Sequence, residues 1–393
     1  MSIRIYNNIA KSGLSLLKKN YKIGVGNEAM HPLGILLRSH NLNQETIPES
    51  VLGIARCGIG VNNIPINNMT ENGVVVFNTP GSNANSVKEL TLTGMLLASR
   101  NIVQGINYVN DFGENIDMKA IEANKKLFQG SELLGKSIGV IGLGNIGRMV
   151  AKSCQNLGMN VLGYDPVSSV SGVEKNSNIA EMVSNVDFLS IHVPYIEGET
   201  DNLLNEENLR GLNSECHILN FARNGIIDEN YLIDKMNNNT FNGYYITDFP
   251  NNTFVGNPQV IQIPHLGAST NEASENSTLM AVNQLDQFLI DGTIRNSVNF
   301  PEVVLERNPD SCMRLSIINR NTPGVISEIT KLLRKENINI VQQINKSCGD
   351  IAYNLFDLDC DKESELLKKI NNIIENMNMN MNNIVRTRII HLS

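Results

Sequence analysis

Residues 137–165 constrain this chain more than any other stretch. Ile138, Val140 and Ile141 form a short apolar run suited to a buried parallel strand, and Gly142, Gly144 and Gly147 follow as G-x-G-x-x-G. Met149 to Leu157 continue with helical spacing, and Val161 to Tyr164 form a second strand that ends at Asp165. Glycine-rich turns are common by themselves. Here the turn sits between strand and helix, with an acidic residue 18 positions after Gly147, as a dinucleotide-binding unit requires. The glycines let the backbone pass close to a pyrophosphate on the helix N-terminus. Asp165 accepts hydrogen bonds from a ribose and repels a 2′-phosphate, which favours NAD over NADP. The plainer alternative is a tight strand–helix turn with a surface Asp.

A chain of 393 residues holds two or three domains, and its 41% apolar content is ample for real cores. No apolar run reaches the length of a bilayer span, and Met1-Ser-Ile-Arg-Ile-Tyr lacks a signal peptide's apolar core. The expectation is a cytoplasmic protein with no membrane partner. The net charge of −8 argues against a nucleic-acid surface while leaving room for a local cationic pocket. Cys57, Cys154, Cys216, Cys312, Cys348 and Cys360 are scattered, with no CxxC, and no two histidines form HxxxH. Free thiols in a reducing compartment and no metal are expected.

The first 90 residues alternate short apolar runs (Ile3–Tyr6, Tyr21–Val25, Val51–Ala55, Val74–Phe77) with turns and carry no glycine fingerprint of their own. A helical stretch is predicted from about Ser86 to Val109. After the fingerprint come Phe188–Val193, His217–Phe221, Gly243–Thr247 and Val260–Ile263, the rhythm of a parallel sheet covered by helices. Residues 271–290 read as a helix, and Asn296 to Ser311 as a linker. Beyond it, Met313–Ile318, Ile338–Ile344, Ile351–Leu358 and Ile384–Leu392 read as strands, with helical spacing at Val325–Leu333 and Leu366–Ile374. That βαββαβ order predicts a ferredoxin-like module. The Asn/Met tract at 376–383 reads as a solvated turn.

Hydride transfer to NAD needs a cation to grip a carboxylate and a base to take a hydroxyl proton. Arg223 follows the strand Ile218–Phe221, at the sheet edge where open parallel sheets bind ligands. Its guanidinium suits the carboxylate of a 2-hydroxy acid; the alternative is a solvated loop Arg. His265, in Ile-Pro-His-Leu-Gly-Ala-Ser, also follows a strand and can accept and return the proton. His192 competes for that role but suits the cofactor wall better.

Arg56-Cys-Gly-Ile-Gly-Val-Asn-Asn-Ile, Phe77-Asn-Thr-Pro-Gly with Asn83 and Val87-Lys-Glu-Leu, the fingerprint, His192-Val-Pro, Asn220-Phe-Ala-Arg-Asn-Gly and Pro264-His-Leu-Gly-Ala-Ser-Thr resemble D-2-hydroxyacid dehydrogenases over residues 50 to 300. The C-terminal module, with Asn319-Arg-Asn-Thr-Pro-Gly and Asn337-Ile-Asn-Ile, resembles an ACT regulatory domain.

The resemblance implies an α/β chain of two Rossmann-like lobes. A flavodoxin-like substrate domain (1–85 and 270–300) carries an inserted NAD-binding domain (86–269), followed by a linker (301–311) and a ferredoxin-like ACT domain (312–393). It assigns substrate binding to Arg223 and acid/base catalysis to His265, with Asp248 as a further catalytic candidate. Cofactor contacts are implied for Gly142, Gly144, Asn145, Ile146, Gly147, Asp165, His192, Val193, Pro194, Phe221, Ala222, Asp248 and Ala268. Substrate contacts are implied for Arg56, Gly58, Gly60, Asn78, Ser82 and Asn83, with Lys125 and Lys126 as cations for a phosphate; a solvated basic turn is the other reading of that pair.

One departure stands out. The family's catalytic Glu falls at Asn252, and Asp248 lies one place later than the family's Asp. Either Asp248 orients His265 or the nicotinamide amide, or the histidine works without a carboxylate. The pairing with an ACT module implies NAD-linked oxidation of a phosphorylated 2-hydroxy acid, 3-phospho-D-glycerate, in serine synthesis. The alternatives are a glyoxylate or hydroxypyruvate reductase and an NAD-sensing corepressor-like scaffold. Asn319, Asn321 and Asn339 match positions that bind serine in the family, so L-serine is an expected effector and a homo-oligomer, dimer or tetramer, an expected state. Asn321 as a helix cap is the competing reading.

Overall fold

The computed structural model describes residues 1–391 except 8, 19 and 360–362, with backbone alone at 27, 312, 363 and 380. Two compact units form, Met1–Ser82 with Ser274–Ser393, and Asn83–Ala273. In the second unit, strands Ser137–Ile141, Asn160–Tyr164, Glu174–Lys175, Phe188–Ile191, His217–Asn220, Tyr245–Thr247 and Val260–Gln262 make one parallel sheet. Across the sheet they run seventh, sixth, fifth, fourth, first, second, third. Ile138 pairs with Val161 on one side and Phe188 on the other, so the chain reverses direction beside the first strand. That is the doubly wound order, and the crevice at its reversal is where such sheets bind dinucleotides. Ile138, Val140, Leu189, Ile191, Ile218 and Leu219 are wholly buried, which is why these strands read as continuous apolar runs.

In the first unit, strands Lys22–Val25, Ser2–Ile5, Gly34–Leu37, Gly53–Arg56 and Val75–Phe77 lie parallel in that spatial order, the flavodoxin-like arrangement. The central strand Gly34–Leu37 escaped the sequence pattern. Its four residues are all buried, and so short an apolar run has no period to read.

The C-terminal module has strands Ser311–Arg320, Ile340–Cys348, Ile351–Asp359 and Ile384–His391, antiparallel in the order second, third, first, fourth. Helices Val325–Lys335 and Glu363–Asn380 cover one face through Ile329, Leu333, Ile370, Ile373 and Met377. Leu392, the expected end of the last strand, lies outside the described residues, as does Cys360. The other face of the sheet is not solvated. Ile318, Ile351, Tyr353 and Leu355 join Leu285, Phe288 and Leu289 of helix Asn271–Asp291 in one core. The last carbonyls of that helix, which have no partner within it, are met by the sheet. Arg388 donates to Phe288 O (2.9 Å) and to Leu289 O, Arg314 to Asp291 O (2.7 Å), and Tyr353 Oη to Gly292 O (2.8 Å). Arg314 also makes a two-pronged pair with Asp357, at 2.5 and 2.9 Å, both side chains being fully buried.

Three expectations change. The stretch from Ser86 to Val109 is two helices, Ala84–Ser99 and Ile102–Asn110, because Asn101 takes a φ of +49°. Asparagine tolerates that left-handed turn, and Tyr244 Oη holds the side chain at 2.9 Å. The Asn/Met tract is not a turn through its whole length: helix Glu363–Asn380 runs into it and buries Met377 completely. Within the stretch read as a linker, Val298 N donates to Val76 O (2.9 Å), Asn299 Oδ1 accepts from Val76 N (2.8 Å), and Phe300 and Val303 are core residues.

Candidate active site

The strand Ser137–Ile141 ends in Gly142, at φ +88°. A Cβ there would lie 2.6 Å from His192 O, and one on Gly147 would lie 1.8 Å from Gly142 O, so neither position admits a side chain without moving backbone. Gly144 is different. A Cβ on it would meet nothing within 4 Å, and no side chain caps helix Asn145–Asn156, which begins there. Open space in front of the uncapped amides of Asn145 and Ile146 is the cradle a pyrophosphate needs.

Asp165 sits at the end of the neighbouring strand. Its Oδ2 accepts from Leu143 N (2.7 Å) and its Oδ1 from Val167 N (2.9 Å) and Ser168 N (2.7 Å). Burial by itself would raise its pKa, but those three amides and the Lys175 charge outweigh it and hold the carboxyl below its ordinary value. Of about four lone-pair sites on a carboxylate, one remains on Oδ2 for a ribose hydroxyl. His192 bonds Ser190 Oγ through Nε2 at 2.8 Å, and burial pushes its pKa down to about 3. With its pKa that low, the ring is a poor proton acceptor near neutral pH. Val193 and Pro194 continue from it along the same loop, and a Cβ on Gly142 would also meet Val193.

Arg223, Asp248 and His265 follow three neighbouring strands, His217–Asn220, Tyr245–Thr247 and Val260–Gln262, at the edge of the sheet that also carries Gly142. Asn220, nearly fully buried, shapes the first loop: its Nδ2 donates to Arg223 O (2.9 Å) and its Oδ1 accepts from Ala222 N (3.2 Å), with Phe221 buried beneath. Arg223 turns back to Ala222 O at 2.7 Å. His265 is exposed, and the ring of Phe249 stands 4.8 Å from it. Asp248 is wholly buried. Its Oδ2 accepts from Gly267 N at 2.9 Å, and so it grips the backbone of the loop bearing His265 and Ala268. Burial raises its pKa, against the opposing pull of the Gly267 amide and the His265 charge. Its Oδ1 is a buried acceptor with no hydrogen-bond partner among the described residues, which suits the amide N–H of a nicotinamide carboxamide. The glycine cradle, Asp165 and Asp248 together fit NAD.

In the first unit, Arg56 ends the strand Gly53–Arg56, and a Cβ on Gly58 would lie 2.5 Å from its Nη1. Asn78 Nδ2 donates to Ile59 O (2.8 Å), Ser82 Oγ to Thr79 O (2.8 Å), and a Cβ on Gly60 would meet open space. Arg38 is a candidate that sequence reasoning missed because its strand was missed; an Arg directly after an apolar run was the available signal. Asn63 bonds both Arg56 Nε (3.0 Å) and Arg38 O (3.3 Å), which brings the two arginine-bearing segments together, and Arg38 Nη1 donates to Ser274 Oγ (3.2 Å). Asn83 starts helix Ala84–Ser99 in the second unit without capping it. Lys125 and Lys126 stand on an exposed helical turn, Lys125–Phe128, where Lys125 pairs with Glu122.

The three regulatory candidates do not converge within one chain. Asn319 is buried, its Oδ1 taken by Asn354 Nδ2 (2.6 Å) and its Nδ2 by Arg320 O (2.6 Å). Asn321 is exposed and donates to Gly349 O at 3.1 Å, leaving helix Val325–Lys335 without a side-chain cap. Asn339 precedes Ile340, which pairs with Leu358, whereas Asn319 pairs with Ala352. Asn339 therefore sits opposite Asp359, seven residues along the strand, and at about 3.3 Å per residue the two lie about 23 Å apart along the strand.

Among the described residues no group of His, Cys, Asp and Glu could hold a metal, and no helix is long and apolar enough to cross a membrane. Cys57, Cys154, Cys216 and Cys348 are free thiols.

Residues 92–267 match the family described as D-isomer specific 2-hydroxyacid dehydrogenase, NAD binding domain. The D-3-phosphoglycerate dehydrogenase of Haemophilus influenzae is 30% identical over 358 residues, 88% of this chain and 84% of that protein. That of Methanocaldococcus jannaschii is 35% identical over 269 residues, 66% of this chain but 49% of its own length, so the match spans about half of that relative. Among solved structures, an NAD+-bound 3-phosphoglycerate dehydrogenase from Entamoeba histolytica is 26% identical with a TM-score of 0.61, over 76% of this chain and 98% of that one.

Proposed function

We propose that this chain, which belongs to the D-isomer specific 2-hydroxyacid dehydrogenases, oxidises 3-phospho-D-glycerate to 3-phosphohydroxypyruvate with NAD. The observation that carries the reading is the placement of Arg223, Asp248 and His265 at three consecutive strand ends of the sheet that bears the glycine cradle. Bound NAD supplies the hydride acceptor. Arg223 grips the carboxylate and polarises the oxygen that becomes a carbonyl. The imidazole of His265 takes the hydroxyl proton. Asp248 holds the His265 loop through Gly267 N (2.9 Å) and offers its free oxygen to the carboxamide. Within the first unit, Arg38 and Arg56 offer a pair of guanidinium forks suited to phosphoryl oxygens. The test is NADH formation with 3-phospho-D-glycerate beside D-glycerate and D-lactate. A preference of about a hundredfold or more in kcat/KM for the phosphorylated acid is expected, two phosphate contacts supplying about 1.5 kcal/mol each. Equal or better turnover of D-glycerate would favour a hydroxypyruvate or glyoxylate reductase instead.

L-Serine feedback through a homo-oligomer accompanies this reading. Since Asn319 is engaged internally and Asn339 lies at the far end of the sheet, a serine site would combine Asn321 of one chain with Asn339 of a second copy. Serine would then favour one state of the whole assembly and couple to substrate in both directions. Serine titration of the full chain and of its Asn321→Ala variant tests this, with sedimentation reporting the assembly; unchanged inhibition in the variant would discard the site.

A further inference from the structure

Beside the residues that touch substrate, the first unit holds a carboxamide that ties its two cationic loops together. Asn63 Oδ1 accepts from Arg56 Nε at 3.0 Å, while its Nδ2 donates to His40 O at 2.6 Å and Arg38 O at 3.3 Å. The loop it grips is held from its other side by a second carboxamide. Asn7 Oδ1 accepts from the backbone N–H groups of Arg38 (3.2 Å), Ser39 (3.0 Å) and His40 (2.9 Å), and Asn7 itself adopts a φ of +68° to do so. The His40 ring is stacked on Tyr6 at 3.9 Å and bonded to Glu45 at 2.5 Å, so the loop's far end is fixed as well.

We infer that Asn63 is a positioning residue for substrate binding, orienting the Arg56 guanidinium and locking it in register with the loop that carries Arg38. The inference rests on the proposed phosphoglycerate reading. Asparagine is the residue type the position demands, because it must accept from a guanidinium and donate to two carbonyls at once; an aspartate cannot donate, and a serine has one hydroxyl to share. Arg56 Nε points at Asn63 and its Nη1 lies over Gly58, so the guanidinium is held edge and end, and little rotamer freedom remains to be lost when an anion arrives. Its effect on substrate binding runs through the Arg56 guanidinium that it orients, the Arg38 loop being held independently by Asn7.

The test is a double-mutant cycle in the full-length protein with 3-phospho-D-glycerate as the varied substrate. Asn63→Ala is expected to raise KM about tenfold, the loss of one hydrogen bond to a charged group, with kcat changed less than twofold and NAD affinity unchanged. On an Arg56→Lys background, which lacks the Nε donor, the same substitution should raise KM less than twofold, since its route of action is gone. Should the alanine variant fail to fold, Asn63→Ser, too short to span to Arg56, is run through the same cycle. Additive effects on the two backgrounds, or an unchanged KM, would overturn the inference, as would an equal loss of NAD affinity. Wild-type protein that fails to oxidise 3-phospho-D-glycerate would sink the functional reading instead, so the two failures are told apart within one set of assays.

Discussion

The glycine turn at Gly142–Gly147 and the arginine loops at Arg38 and Arg56 are held in shape by opposite means. The turn is built of backbone. Its shape is enforced by contacts that a single added carbon would violate, and its charge comes from helix amides and the macrodipole. The arginine loops are built of side chains, two carboxamides gripping one loop and one guanidinium. At the backbone site, Gly142 and Gly147 admit no side chain, and their shape is set by close backbone neighbours such as His192 O. A side-chain site can be tuned residue by residue, and it depends on long-range neighbours to hold each group still.

The side-chain strategy reaches its extreme where the C-terminal sheet meets helix Asn271–Asp291, and the largest effect is expected there. Arg314→Ala leaves Asp357 buried without its partner and should cost about 3–5 kcal/mol in denaturant unfolding. Arg314→Met with Asp357→Leu should cost far less, because no charge is stranded. Equal losses in single and double variants would mean that packing, not charge, holds the face. The same docking means that deleting everything beyond Arg307 would expose Leu285, Phe288 and Leu289, so serine control is better tested by point variants than by truncation.

Next in size is Arg223→Ala, expected to lower kcat/KM about 10²–10³-fold with KM and kcat both affected. A preserved kcat would confine Arg223 to uniform binding. The backbone strategy is tested by a pair of glycines. Gly147→Ala places a methyl 1.8 Å from Gly142 O and should destabilise the fold by about 1–3 kcal/mol or more while abolishing NAD binding. Gly144→Ala, with open space around it, should leave the melting temperature unchanged and weaken NAD alone. If both variants fold and bind alike, the cradle has been misplaced. The smallest effect is at Asp165. Asp165→Ala should shift the NAD/NADP preference about tenfold, roughly the worth of one charged hydrogen bond, read from steady-state kinetics with each cofactor; an unchanged ratio would remove Asp165 from the ribose site.

The parts of the fold that read clearly from sequence are those set by neighbours a few residues away. Alternating apolar runs and turns announced both parallel sheets, and the βαββαβ rhythm announced the C-terminal module. Gly142, Gly144, Gly147 and Asp165 were identifiable because a strand, a tight turn and a helix must follow in that order for the motif to work. That Arg223 and His265 stand just past strand ends was legible for a related reason, since each follows an apolar run, and strand ends are where such sheets place chemistry.

Sequence by itself determined the local grammar: which segments extend, which coil, where glycine is obligatory, and the order in which the units occur. Tertiary structure decided the partners of several polar side chains that no local pattern fixes. It gave Asp248 to the Gly267 amide, 19 residues on. It spent the carboxamide of Asn319 on Asn354 and placed Asn339 at the opposite end of the sheet. It drew Met377 into a core, and through Asn63 it tied Arg56 to the loop of Arg38. The physical reason is one of range. Backbone dihedral preference and hydrophobic period act over a few residues, whereas a hydrogen bond is satisfied by whichever group the folded chain delivers within about 3 Å, and that delivery depends on every element in between.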